Sequence, residues 1–355
     1  MTPRAGSDAP LASSGRDPMS AGEMSPATSP GASRPIGVFD SGIGGLTVVR
    51  ELMHRLPREG IVYFGDTARL PYGTKSPATV RRFSVENTRF LLNQGVKLVV
   101  VACNTSSAVA LEALRRQFDI PILGVVEPGA RAAVAASRSG RIGVIGTYGT
   151  VGSGSYEKAI RALRPDAVVH SVACPLFVPL AEEGWMDHPV TRQVAGEYLA
   201  TLRAARIDTL VLGCTHYGVL RGAIQSVLDG DQVTLVDSGA EVAREVESHL
   251  GPGARAAGTA RAPEPAATAP EPAARWRFYV SDIPARFREV GSRFLGRPLA
   301  DVVLVDQTDI PWFERDQEAR DQEARGADRG SPGRGPELRL AAGRGGGGTA
   351  DGDGV

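Results

Sequence analysis

Lysine is nearly missing from this chain: of its 40 basic residues only Lys75, Lys97 and Lys158 are lysines, the others being arginine. Pyridoxal-phosphate chemistry needs a Schiff-base lysine, and of these three only Lys75 falls in a loop of the kind that carries active sites. Cysteine is as scarce. Cys103, Cys174 and Cys214 are an odd and widely spaced set, unlike a secreted disulfide framework and suited to a reducing compartment, so the expected location is cytoplasmic. Charge of either sign is not in excess, since 40 Lys+Arg balance 40 Asp+Glu. That excludes a general electrostatic attraction to nucleic acid or a membrane surface and leaves a small molecule as the expected partner. No run of eighteen apolar residues could span a bilayer, and the first thirty or so residues hold no apolar stretch of the length a secretory signal requires.

What is present is a long, moderately apolar chain. With 355 residues and 42% hydrophobic content it can furnish the cores of two domains. Residues 1–34 are Ser-, Pro-, Ala- and Gly-rich and read as a disordered extension. Then short β-branched runs alternate with helix-length amphipathic stretches: IGVF at 36–39, IVYF at 61–64, LVVVA at 98–102 and IPILGVV at 120–126. A second set follows, with IGVIG at 142–146, AVVHSV at 167–172, TLVLG at 209–213 and VTLVD at 233–237. Such alternation predicts parallel sheets.

The two sets read as one unit written twice. Ile36-Gly37-Val38 recurs as Ile142-Gly143-Val144, an offset of 106 that the second strands keep, whereas the third strands end in Cys103 and Cys214, an offset of 111. The extra residues are therefore expected between strands two and three. Residues 35–130 with 240–312 are expected to form the first α/β domain and 131–239 the second. The Pro/Ala/Gly stretch 251–274 reads as a flexible insert and 313–355 as a disordered tail.

Ligands of open parallel sheets sit beyond the carboxyl ends of the strands, which is where Cys103 (VVVACNTSSA) and Cys214 (LVLGCTHYGV) fall. A lone cysteine there is most simply a small core residue. Two at equivalent positions argue for chemistry. Each precedes polar residues, Asn104-Thr105-Ser106 and Thr215-His216, at an expected helix start, where backbone N–H groups favour anions and lower a thiol pKa. Inverting a carbon acid requires one group to remove the Cα proton and another to protonate the opposite face, and thiols can serve as both.

The turn Asp40-Ser41-Gly42-Ile43-Gly44-Gly45 lacks the spacing of a dinucleotide loop and suits a substrate carboxylate instead. Leu70-Pro71-Tyr72-Gly73 and Glu182-Glu183 occupy matching loops of the two units. Thr147 and Thr150 read equally as substrate contacts or as helix caps. Cys174, matched to Phe64-Gly65, reads as structural, and His54, His188 and His249 as ordinary surface or helix residues.

FDSGIGGLTV, GDTARLPYG, VVACNTSSA, GVVEPG, CPLFVPLAEEG and LGCTHY occur in this order, and together they resemble the glutamate racemase family over roughly residues 35–310. The resemblance implies two flavodoxin-like domains closing on the substrate, no cofactor, no metal, and D-glutamate supply for peptidoglycan. It implies Cys103 as the base for D-glutamate and Cys214 as the base for L-glutamate. Asp40, Ser41, Tyr72, Gly73, Asn104, Thr105, Thr215 and His216 would bind substrate, while Asp40, Glu182 and His216 would tune the thiols. A homodimer is compatible with it.

Three alternatives stay open on the sequence. An aspartate racemase of the same fold would keep both cysteines, although His216 after Cys-Thr favours glutamate. A cysteine hydrolase could use Cys214 with a histidine but leaves Cys103 unexplained. A binding role directed at DNA gyrase is the alternative outside catalysis, and the neutral charge gives it no support.

Overall fold

The computed structural model describes residues 34–230, 232–251, 275–299 and 301–305. The expected N-terminal extension up to Ser33, nearly all of the 251–274 insert and the tail from 313 lie outside the described residues.

The apolar runs become strands: β1 (Ile36–Asp40), β2 (Ile61–Gly65), β3 (Leu98–Val101) and β4 (Ile122–Gly124), then β5 (Arg141–Gly146), β6 (Val168–Ala173), β7 (Thr209–Gly213) and β8 (Thr234–Asp237). β1, β2, β3 and β7 are buried at every residue. Helices cover both faces of such strands, which is why they read as unbroken apolar runs rather than alternating ones.

Two sheets result, both parallel. The first has the order β10-β9-β2-β1-β3-β4 and the second β6-β5-β7-β8, where β9 is Trp276–Val280 and β10 Val302–Leu304. Each contains the same 2-1-3-4 arrangement, so each has a reversal of strand order beside its first strand, where open α/β sheets bind ligands.

Strand register locates the extra residues of the repeat. Ile36 pairs with Ile61 and Leu98, and Ile142 with Val169 and Thr209, so the offset is 106 at the first strand, 108 at the second and 111 at the third. The expectation of one insertion between strands two and three is thus corrected, because two of the extra residues precede the second strand. Cys174, directly after Ala173, is accordingly the counterpart of Asp66 rather than of Phe64-Gly65.

Helices enter where the side chains dictate. Ser76 caps α2 (Pro77–Asn93) by accepting from the Thr79 N–H, with proline at the first turn. α4 (Val126–Ala136) lays Val126, Ala130 and Ala133 against Ile142, Val144, Val211 and Val236 of the second sheet's core. The expected division at residues 130 and 131 falls inside this helix. No helix among the described residues is long and apolar enough to cross a membrane.

Candidate active site

The two reversal points share one cavity, about 430 Å³ of unfilled space with its open mouth included. From the first unit it is lined by Ser41, Tyr72, Gly73, Cys103, Asn104 and Thr105, and from the second by Thr147, Glu182, Cys214, Thr215 and His216. Asp40 and Thr150, also expected at the site, do not reach the cavity. Asp40 is completely buried, accepting from Gly42 N–H at 3.0 Å and from the Thr215 hydroxyl at 3.5 Å.

Cys103 follows β3 as the N-cap of α3 (Asn104–Gln117), its sulfur accepting from Ser106 N–H at 3.5 Å. A helix start was expected to lower this thiol's pKa. Instead burial, followed by the charge of Asp40, pushes it up to about 11, against the opposing bonds from Ser106 and Ser41. At 5% exposure, loss of hydration outweighs what one helix turn supplies.

Cys214, directly after β7, has a different neighbour. Its sulfur lies 3.8 Å from Nδ1 of His216, whose Nε2 is 3.0 Å from Oε1 of Glu182. Burial works against a charge on this imidazole. The hydrogen bonds to Cys214 and Glu182 prevail and lift it to about 10. Burial also opposes charge on Glu182, but the bond to His216 and the charges of His216 and Arg286 hold its carboxyl below the usual range.

Polar groups meet from both sides of the cavity. The hydroxyls of Thr105, Thr147 and Thr150 lie 2.9–3.2 Å apart, joining the start of α3 to the start of α5 (Tyr148–Gly152), which Thr147 caps. Asn104 accepts through Oδ1 from Tyr156 at 2.6 Å and from Ser238 at 3.4 Å, which fixes the amide's orientation. Its Nδ2 is buried and has no protein partner. A buried donor left over at a cavity wall is suited to a carboxylate oxygen.

The Tyr72 hydroxyl is already taken by Asp66 and by Asn87, the latter at 3.1 Å. What this residue offers the cavity is its ring and backbone. Arg69 ties the same loop down, donating to Asp66, Glu86 and Asn87.

Several contributors were not singled out from sequence. Val178 lines the cavity but is one apolar residue among many. Ser238 follows β8 directly, so the strand-end rule could have found it. Thr47, whose hydroxyl donates across to the Thr215 carbonyl at 3.2 Å, carries no sequence signal. Glycine is required where the units touch. A Cβ on Gly44 would fall 2.2 Å from the Thr215 hydroxyl, and one on Gly73 would fall 2.5 Å from Thr147 Cβ. No cluster able to hold a metal ion occurs among the described residues.

Paired parallel α/β units with a cysteine at the equivalent strand end of each are the architecture of an amino-acid racemase, and residues 36–246 match the Asp/Glu/Hydantoin racemase family model. Glutamate racemase of Geobacter metallireducens is 52% identical over 272 residues, 77% of this chain and 96% of that one. That of Neisseria meningitidis serogroup A is 49% identical over 276 residues, 78% and 97% of the two chains. Among solved structures, glutamate racemase of Francisella tularensis in complex with D-glutamate matches at TM-score 0.67 with 39% identity over 77% of this chain and 98% of that one. The Thermus thermophilus enzyme in complex with beta-chloro-D-alanine matches at TM-score 0.65 with 45% identity over 78% and 98%. The chain belongs to the glutamate racemase family and is an isomerase.

Proposed function

We propose that this protein interconverts L- and D-glutamate by a two-base mechanism in which Cys103 and Cys214 act from opposite sides of Cα, and that it supplies D-glutamate for peptidoglycan in the cytoplasm. The observation that carries this reading is that the two thiols occupy equivalent strand ends of different sheets and line one cavity. In the L-to-D direction Cys214 removes the Cα proton while Cys103, whose raised pKa keeps it a thiol near neutral pH, delivers a proton to the other face. The reverse direction exchanges the roles. His216, charged between Cys214 and Glu182, offsets the negative charge on the Cys214 sulfur.

Asn104 Nδ2 and the N–H groups at the start of α3 suit a substrate carboxylate, and as donors they also offset the negative charge that develops at Cα and spreads onto the α-carboxylate. No step calls on a lysine or a bound cofactor. The test is circular dichroism of dialysed protein with either enantiomer: the signal should decay to zero from both sides, and persistence of either signal rejects the reading.

A further inference from the structure

The Cys214 side of the cavity is supported from an unexpected place. α11 (Pro284–Leu295) lies after the 252–274 segment, between the two strands that extend the first sheet. Two adjacent residues of α11 reach the second unit's acid–base groups. Arg293 Nη2 donates to the Glu182 carbonyl oxygen at 3.1 Å. The buried Phe294 ring meets the His216 imidazole with centroids 5.4 Å apart and planes at 77°.

Glu182 is the last residue of α7 (Phe177–Glu182), and the carbonyls at a helix end have no partner within the helix. Arg293 supplies one. Two residues on, Gly184 has φ +77, and a Cβ there would fall 2.2 Å from Arg293 Nη1. Two turns earlier on the same face of α11, Arg286 pairs with Glu183 at 2.9 Å. The end of α7 is therefore held from α11, and that backbone sets where the Glu182 carboxylate meets His216 Nε2.

We infer that Arg293 and Phe294 are positioning residues for the Glu182–His216 pair and, through it, for proton transfer at Cys214, an inference that rests on the two-cysteine reading above. Neither residue touches the cavity. Their loss should raise the barrier for transfer at Cys214 and leave transfer at Cys103 alone.

Steady-state rates alone cannot show this, because the equilibrium constant of a racemisation is one and kcat/KM must fall equally in both directions. Isotope effects can. Arg293→Met and Phe294→Leu should each lower kcat/KM, by about tenfold for a displacement short of one ångström. The primary isotope effect should rise with L-[2-²H]glutamate and fall or stay constant with D-[2-²H]glutamate, since only the L enantiomer gives its Cα hydrogen to Cys214. Arg293→Lys, which keeps one donor to the Glu182 carbonyl, should restore most of the loss.

Unchanged kcat/KM in both variants, or a loss with both isotope effects moving together, overturns the positioning role. Arg293 is exposed, so its variant reports even if Phe294→Leu fails to fold. A rise confined to D-glutamate would uphold the clamp and instead reverse the assignment of the two bases.

Discussion

Glu182 Oε1 lies 3.0 Å from Nε2 of His216, and this contact joins the end of α7, which follows the second unit's second strand, to the loop after its third. The pair carries charge on a buried ring, so its contribution depends on pH in a defined way.

The folded-state pKa of His216 is raised from 6.5 to about 10, so the stabilisation it brings is complete below 6.5 and lost as pH rises toward 10. The carboxyl of Glu182 is lowered from 4.5, so its share is complete above 4.5 and lost on acidification. The Tm deficit of Glu182→Gln relative to the native protein should therefore be largest between about pH 4.5 and 6.5 and shrink steadily above it. A deficit that is flat from pH 5 to 10 would show that the pair does not hold its charge.

Cys103 should be a sluggish nucleophile at neutral pH. With its pKa near 11, alkylation by iodoacetamide, followed on the Cys103 peptide by mass spectrometry, should accelerate about tenfold per pH unit until that value is approached. Asp40→Asn removes a charge that opposes the thiolate and should shift the whole curve to lower pH. A plateau already reached at pH 8 in the native protein would contradict the burial argument.

Gly44 sets the approach of the first unit to the Thr215–His216 loop of the second. In Gly44→Ala the added methyl would fall 2.2 Å from the Thr215 hydroxyl and 2.5 Å from His216 Nδ1, so that loop must move. A displacement near one ångström should lower kcat about 100-fold while Tm changes by only a few degrees, because the strands and helices on either side keep their packing. Retained activity would mean the loop yields without consequence for the chemistry.

Much of this was legible in the sequence, for a physical reason. Buried parallel strands must be continuously apolar, and a ligand site must lie just past their ends, so Cys103, Cys214 and their polar followers could be read directly. Contacts across the cleft could not. Thr47 bonding to the Thr215 carbonyl, or Phe294 packing on His216, depends on how the units meet and leaves no periodic trace. The short strand β10 does lie in an apolar run, VVLV at 302–305, but Val303 and Leu304 are exposed, so apolarity alone does not reveal its place at the sheet edge. The raised pKa of the Cys103 thiol departs from the sequence expectation because a helix start is visible in sequence whereas burial near Asp40 is not.

The division of labour between Cys103 and Cys214 is open to a direct test. In D₂O the thiol that protonates the product has exchanged with solvent, so product formed from either enantiomer should carry deuterium at Cα. Replacing either cysteine by serine should nearly abolish racemisation, because a hydroxyl is too weak an acid or base to complete the missing step. Each single variant still keeps one thiol on one side of the cavity. An analogue that loses a leaving group after Cα–H removal needs only one base, so Cys103→Ser should retain elimination from the L analogue through Cys214. Cys214→Ser should retain it from the D analogue through Cys103. Both thiols should show this mirror preference even though their surroundings differ, one beside Asp40 and the other beside His216. If one variant loses both eliminations while the other racemises near the native rate, a single base does the work and the two-cysteine mechanism is refuted.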